Sequence, residues 1–286
     1  MPELPEVETI ARNLRRGIGD APSLLGQTIQ QASLLWPRTL AEPDMDTFQA
    51  MLPGQIVQII GRRAKFLTLT LSESVLVIHL RMSGDLRVEP SEKPLETHDR
   101  MALFFTSGWR LSFNDTRKFG RVWLLQDTER LFAGLGPEPD EPTLSPKSFH
   151  QMLQARHRAI KPLLLDQHFF AGLGNIYTDE ALFRAGIHPL RTSETLDLQD
   201  AARLLEAIRF TLARGIESNG ASIDWVYRGG DFQNHFQVYQ QTGNPCPRCG
   251  QPITKTTVGQ RGTHFCPQCQ PLIRRAECDS VSHSAD

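Results

Sequence analysis

Near the start of the chain, Val7, Ile10 and Leu14 recur three and four residues apart after Pro5. This spacing predicts a helix that stops near Gly17 and Gly19. The period then changes. Leu67, Leu69 and Leu71 alternate with Thr68 and Thr70, the stretch 72–74 supplies a turn, and 75–78 is apolar throughout, the pattern of a hairpin. A second hairpin is predicted from 101–105 and 109–113 around Ser107 and Gly108, with another strand at 122–125. The Gly- and Pro-rich, acidic stretch 135–142 reads as a linker. Beyond it the pattern is helical. Ser145 before Pro146 signals a capped start, a helix beginning near Asn175 closes at Gly186 and Pro189, and Leu198, Ala201, Leu205, Ile208 and Leu212 form one apolar stripe. A β-rich first part with an N-terminal helix, followed by a helical part, makes an α+β multidomain chain.

Length and charge sharpen this picture. At 286 residues the chain can hold two domains with real cores. Its 31 Lys and Arg nearly cancel 32 Asp and Glu, so neither wholesale disorder nor a polycationic tail fits. No apolar run approaches the roughly 20 residues of a membrane helix, and the start MPELPEVETI is acidic where a signal peptide is basic and then apolar. A soluble, intracellular protein is expected. Charge is uneven, however: Arg248, Lys255, Arg261, Arg274 and Arg275 share one stretch with no acid, whereas 127–142 holds five acids and only Arg130. Local patches, not the total, must meet any charged partner.

Four of the five cysteines lie close together. Cys246 and Cys249, then Cys266 and Cys269, form two Cys-x-x-Cys knuckles separated by 16 residues, the spacing for four thiolates around one tetrahedral Zn²⁺. Four sulfur ligands leave no open position, so one structural Zn²⁺ per chain is expected, outside the chemistry. Cys278, in a polar tail, reads as incidental. The surrounding basic segment stays positive after metal binding, because its five cations exceed the charge of minus two left by four thiolates and a divalent ion.

The N-terminus carries the second chemical signal. Removal of Met1 leaves Pro2 with a free secondary amine beside Glu3. An α-amino group with pKa about 8 is roughly 10% neutral at pH 7, whereas an ordinary lysine is neutral only at ~0.04%. The terminal amine is therefore the better nucleophile.

Together with six internal stretches, these features make the chain resemble the bacterial formamidopyrimidine-DNA glycosylase family. The matching stretches are PELPEVET at 2–9, GRRAKF at 61–66, HLRMSG at 79–84, RKFG at 117–120, GLGNIY at 172–177, AGIHP at 185–189 and QRGTHFC at 260–266. The resemblance implies an N-terminal β-sandwich (2–134), a linker (135–143), a helix-two-turn-helix domain (144–235), a zinc finger (236–270) and a polar tail (271–286), with DNA between the halves. It also implies a monomer in the cytoplasm, associated with the nucleoid, acting on double-stranded DNA that contains oxidised bases or abasic sites.

The implied roles follow residue by residue. Pro2 is the nucleophile and Glu3 the general acid, with Lys65 and Arg261 assisting the later eliminations and Glu6 orienting the helix. Met82, Arg117 and Phe119 fill the gap left by the extruded base. Lys65, His79, Asn175 and Arg261, with His98 in addition, hold phosphates. Three or four such contacts imply a slope near about -3 in log K against log salt. Lys118 and Thr116 depart from the usual Arg and Pro, and the stretch 217–239 looks short, which bears on lesion choice. Two rival readings remain open. The endonuclease VIII branch usually begins Pro-Glu-Gly-Pro-Glu, whereas residue 4 here is Leu; a non-enzymatic DNA-binding protein would not require both Pro2 and Glu3.

Overall fold

The computed structural model describes residues 1–222 and 229–272. The chain divides into two compact units, one of Met1–Glu141, Leu165–Gly174 and Arg209–Phe236, the other of Pro142–Leu164, Asn175–Ile208 and the residues from Gln237 onward.

The first unit opens with α1 (Leu4–Arg16), where the predicted helix lies. It continues through β1 (Ile29–Leu34), β2 (Leu40–Glu42), α2 (Met45–Met51), β3 (Val57–Arg63), β4 (Phe66–Leu71) and β5 (Val75–His79). Then follow β6 (Gly84–Pro90), β7 (Asp99–Phe105), β8 (Trp109–Asp115), β9 (Arg121–Leu125) and the single turn α3 (Glu129–Phe132). Two sheets result, in the orders β1-β7-β8-β6 and β2-β9-β5-β4-β3. Both expected hairpins are present: β4 pairs antiparallel with β5, and β7 with β8. Along β4 the alternation predicted from Leu67, Leu69 and Leu71 is realised, each of the three being buried while its neighbours are half-buried.

Side chains from both sheets enter one core, among them Ile29, Leu67, Ile78, Leu103, Phe113 and Val122, which makes the unit a sandwich. Val7, Ile10, Ala11 and Leu14 of α1 enter the same core. Burying each of the larger ones contributes about 1.5–3 kcal/mol, enough to seat the first helix of the chain firmly.

The acidic stretch expected to be a simple linker is instead bound along its length within this unit. Gly136 N–H donates to Gln167 O (2.9 Å), Pro137 O accepts from Ala171 N–H (3.0 Å), and Pro139 O accepts from Arg209 Nε (2.6 Å). Its Pro and Gly content sets a backbone path; hydrogen bonding then fixes that path.

The second unit holds α4 (Pro146–Gln154), α5 (Ile160–Leu165) and α6 (Asn175–Ala185), and α7 (Leu198–Glu217) divides its residues between both units. The expected cap is formed, with Ser145 Oγ accepting from Ser148 N–H at 3.1 Å. A two-stranded hairpin, β10 (Thr254–Val258) and β11 (Arg261–Phe265), completes it. Among the described residues no helix is long and apolar enough to cross a membrane.

Candidate active site and metal centre

The helix start built by the N-terminal motif is tightly specified. Glu3 is the N-cap of α1 and Glu6 the third helical residue. One Glu6 oxygen accepts from Glu3 N–H (2.7 Å) and the other from Ala221 N–H (2.8 Å). Leu4 N–H donates to Gly172 O at 3.2 Å, and a side chain at Gly174 would fall on the Glu3 carboxyl group. Pro2 and Glu3 are buried while Met1 is exposed. The sequence placed Glu6 in an orienting role; the structure adds Ala221 as its second partner, 215 residues away.

Lys65, also buried, follows Ala64 in the turn between β3 and β4, where Ala64 has φ 52°. The Glu138 carboxylate caps this turn, accepting from Arg62, from Arg63 Nη1 (2.8 Å) and from Ala64 N–H (2.8 Å). Burial alone would raise the Glu138 pKa; the Arg62 and Arg63 guanidiniums and the Ala64 N–H outweigh it and hold the carboxyl below the usual carboxylate range. Arg62 also pairs with Glu8 of α1 (3.1 Å), which pairs with Arg15 (2.7 Å). The Lys65 turn and α1 are thus braced by one ion network, which composition had shown only as acidic residues in a Pro-rich stretch.

His79 ends β5 with its ring edge-on to Phe66 at 4.5 Å. Its Nδ1 accepts from Arg81 N–H at 3.0 Å, which leaves the hydrogen on Nε2. Burial first, then the Arg81 and Lys65 charges, push its pKa down to about 3. With that pKa the His79 imidazole is neutral at pH 7 and keeps one hydrogen, on Nε2, to donate. Stability follows with a definite sign. The unfolded imidazole takes up a proton as pH falls through about 6.5 while the folded one does not, so stability is lost between about 6.5 and 3. Urea unfolding of the parent should weaken from pH 7.5 to pH 5 by up to about 2 kcal/mol more than that of His79→Gln; equal losses would refute the assignment.

Met82 and Phe119 are exposed apolar side chains, 39% and 49% accessible. The Arg117 guanidinium lies 5.0 Å from the Phe119 ring, and Lys118, the departure from the family pattern, sits with its ammonium 3.9 Å from the Trp36 ring. His98 is exposed, with Nδ1 3.2 Å from Arg100 Nη2.

In the second unit Asn175 opens α6. Its Nδ2 donates to Gly262 O (3.0 Å), while its Oδ1 is buried with no hydrogen-bond partner among the described residues. The same Gly262 O accepts from Lys161 Nζ (3.0 Å), a fully buried ammonium that also bonds Asp179 (2.6 Å); Asp179 in turn accepts from His264 N–H (2.9 Å). These contacts fix β11 where exposed Arg261 begins it. Glu180 accepts from the N–H groups of Gln237, Val238 and Tyr239. Lys161, Asp179 and Glu180 were missed by sequence reasoning. Their one signal is polarity inside otherwise apolar helical runs.

The four cysteine sulfurs lie within 4.8 Å of one another. A tetrahedral site with metal–sulfur bonds of about 2.3 Å has sulfur–sulfur edges of about 3.8 Å, and Cys246–Cys269 is 3.8 Å and Cys249–Cys266 3.5 Å. Without a cation the cluster is frustrated: burial first, then the neighbouring thiols, push Cys269 up to about 12. Against its burial, Cys246 is held down to about 7 by N–H donors of Arg248 and Cys249. The set fits one divalent ion. Cys246 and Cys266 pack with Phe183, Val238 and Ile253 in a small core of their own. Cys278, Arg274, Arg275 and the stretch 223–228 lie outside the described residues.

Three family models match this chain in order: the formamidopyrimidine-DNA glycosylase N-terminal domain at residues 1–122, the H2TH domain of the same enzymes at 135–226, and a zinc finger found in FPG and IleRS at 243–272. Sandwich, helices and four-cysteine finger together are the architecture of one class of DNA glycosylase. The formamidopyrimidine-DNA glycosylase of Enterococcus faecalis is 43% identical over 96% of this chain and 99% of its own, and that of Chloroflexus aggregans 47% identical over 96% and 100%. The chain belongs to the formamidopyrimidine-DNA glycosylase family. Among solved structures it is similar to MutM bound to DNA containing carbocyclic 8-oxo-G, with TM-score 0.87 and 38% identity over 94% of this chain and 100% of that one. It is also similar to the Lactococcus lactis enzyme bound to abasic-site DNA, with TM-score 0.86 and 37% identity over the same shares.

Proposed function

We propose that this family member excises oxidised purines, 8-oxoguanine and formamidopyrimidines, from duplex DNA and then cleaves the strand at the abasic site. The observation that carries the reading is the burial of Pro2 and Glu3 at a helix start fixed by Glu6, Gly172 and Ala221. A group needed only for binding would not require such a seat. Once Met1 is removed, the Pro2 nitrogen attacks C1′ of the extruded nucleotide. The C1′–base bond breaks with its electron pair going to the base, which takes up the proton lost by the Pro2 nitrogen, and Glu3 donates a proton to the sugar oxygen as the C1′–O4′ bond opens. The resulting Schiff base permits β- and then δ-elimination, with Lys65 and Arg261 at the two flanking phosphates. Met82, Arg117 and Phe119 fill the vacated stack, and His79, Asn175 and His98 hold phosphates. The metal is zinc, one per chain; it supplies a folded hairpin that presents Arg261. The protein works as a monomer in the cytoplasm, on the nucleoid.

Borohydride trapping on duplexes carrying 8-oxoguanine, a formamidopyrimidine or an oxidised pyrimidine tests covalency and lesion choice together. An adduct on the purine lesions is expected; none on any duplex would overturn the reading, and one confined to pyrimidines would favour the endonuclease VIII branch.

Because His79 is neutral and Asn175 uncharged, the named cations in phosphate contact are Lys65 and Arg261. Their share of the salt slope is then near about -2, smaller than the sequence alone implied. Lys65→Ala and Arg261→Ala should each flatten the slope by about one unit, whereas His79→Ala should weaken binding at every salt concentration without changing it. Affinities measured by anisotropy at four salt concentrations check this. A His79→Ala slope flattened by a full unit would mean the imidazole binds as a cation.

A further inference from the structure

The two loops that carry the proposed wedge are neighbours by construction. One, 80–83, joins β5 to β6; the other, 116–120, joins β8 to β9. Since β5 pairs with β9 in one sheet and β6 with β8 in the other, both loops cross between sheets side by side. Register closes their bases: His79 faces Arg121, and Gly84 faces Asp115. Each loop holds one non-glycine residue in the left-handed region, Arg81 at φ 55° and Lys118 at φ 59°. Each presents an exposed apolar side chain next to it, Met82 and Phe119. Such conformations persist only where surrounding contacts over-determine them.

Those contacts converge on one carboxylate. Asp115 is 1% exposed. One oxygen accepts from the Ser83 hydroxyl and from Arg117 N–H (3.2 Å), the other from Gly120 N–H (2.7 Å). Ser83, itself buried, also accepts from Arg117 N–H at 3.2 Å. Ser83 thus belongs to the Met82 loop by sequence and to the Arg117 loop by hydrogen bonding. Among the described residues the carboxylate's three donors are all neutral, and all lie in the two loops. A buried charge satisfied in this way is costly to keep and directional in effect. The main chain of Asp115 extends the junction, with its N–H on His98 O (2.9 Å) and its carbonyl on Arg100 Nε (2.7 Å).

We infer that Ser83 and Asp115 are positioning residues that lock the two loops into one wedge, so that Met82, Arg117 and Phe119 enter the duplex together. Neither residue touches DNA in this role. The inference rests on the reading of those three side chains as the wedge.

The test uses the full-length, metal-loaded protein and single-turnover kinetics. Ser83→Ala removes the bridge while leaving the Asp115–Gly120 turn, and Ser83→Thr keeps a hydroxyl. Ser83→Ala should slow excision of 8-oxoguanine from duplex by about tenfold or more, the scale of a lost hydrogen bond to a charged group. It should change cleavage at a preformed abasic site by less than about threefold and narrow opposite-base discrimination; Ser83→Thr should restore both excision and discrimination. Met82→Ala and Phe119→Ala should be non-additive in the parent and additive in the Ser83→Ala background. Asp115→Asn, which puts an NH₂ group against one set of donors, should reproduce the Ser83→Ala pattern. Equal losses on both substrates, with discrimination and non-additivity retained, would overturn the inference and leave the bridge a purely structural contact. If Met82→Ala and Phe119→Ala themselves leave duplex excision unchanged, the wedge reading fails and the inference falls with it.

Discussion

Glu3→Gln is expected to slow release of an oxidised purine by ~10²–10⁴-fold, the usual worth of a positioned general acid, while cleavage at a preformed abasic site stays within about tenfold. The amide matches the carboxyl in shape, so the buried N-cap position, 3% exposed, and the approach of Gly174 are kept and only the proton is lost. The abasic substrate has no base to expel and its hemiacetal opens to the aldehyde by ring–chain equilibrium, so it needs less of that proton. The nucleophile is tested from the other side. Acetylating the terminus of mature protein should abolish the borohydride adduct, and Pro2→Gly, which leaves a primary amine, should reduce it. Peptide mapping should place the adduct on residue 2. A blocked terminus that still excises at the parental rate would remove Pro2 from the mechanism.

The second large effect is expected at the cysteines. Cys266 is fully buried and shares a small core with Phe183, Val238 and Ile253. Cys266→Ser should abolish stoichiometric metal, which elemental analysis of the parent should find at one zinc per chain. Metal binding at such sites supplies on the order of 10 kcal/mol of folding free energy, so the β10–β11 hairpin should lose its order. DNA affinity should fall by more than ~100-fold, against about tenfold for Arg261→Ala, because the whole segment proposed to face phosphates is lost and not one guanidinium. Amide hydrogen exchange in β10–β11 and binding anisotropy would report the two losses separately. If affinity survives metal loss, the hairpin is not part of the DNA surface.

Periodicity made much of this fold legible. The alternation in β4, the apolar run of β5, the helical spacing in α1 and α7 and the Cys-x-x-Cys knuckles each follow from local sequence, because each element displays its burial as a repeating pattern. Where the pattern breaks, the elements were missed. β1 has the adjacent exposed residues Gln30 and Gln31 at a register shift, and β6 is an edge strand, half-buried along most of its length and carrying Arg87 and Glu89. The candidate residues could be named from the sequence by type, but not the network that holds them. Nothing local tells that Glu6 meets Ala221, that Glu138 caps the turn before Lys65, or that Asp115 holds two loops. The neutrality of His79 was hidden for the same reason, since burial and the charges of Arg81 and Lys65 decide it.

The seat of the amino terminus also has a consequence in time. α1 is synthesised early, yet Gly172, the partner of Leu4, leaves the ribosome 168 residues after it, and Ala221, the partner of Glu6, 215 residues after it. At 5–20 residues per second the gap before Ala221 lasts roughly 10 to 40 s. Throughout that interval the terminus is without its final contacts and open to the peptidase that removes Met1. A terminus processed in that interval takes its seat only when Gly172 and Ala221 arrive, so an amine freed early on Pro2 is held in its final position only in a molecule whose synthesis is nearly complete.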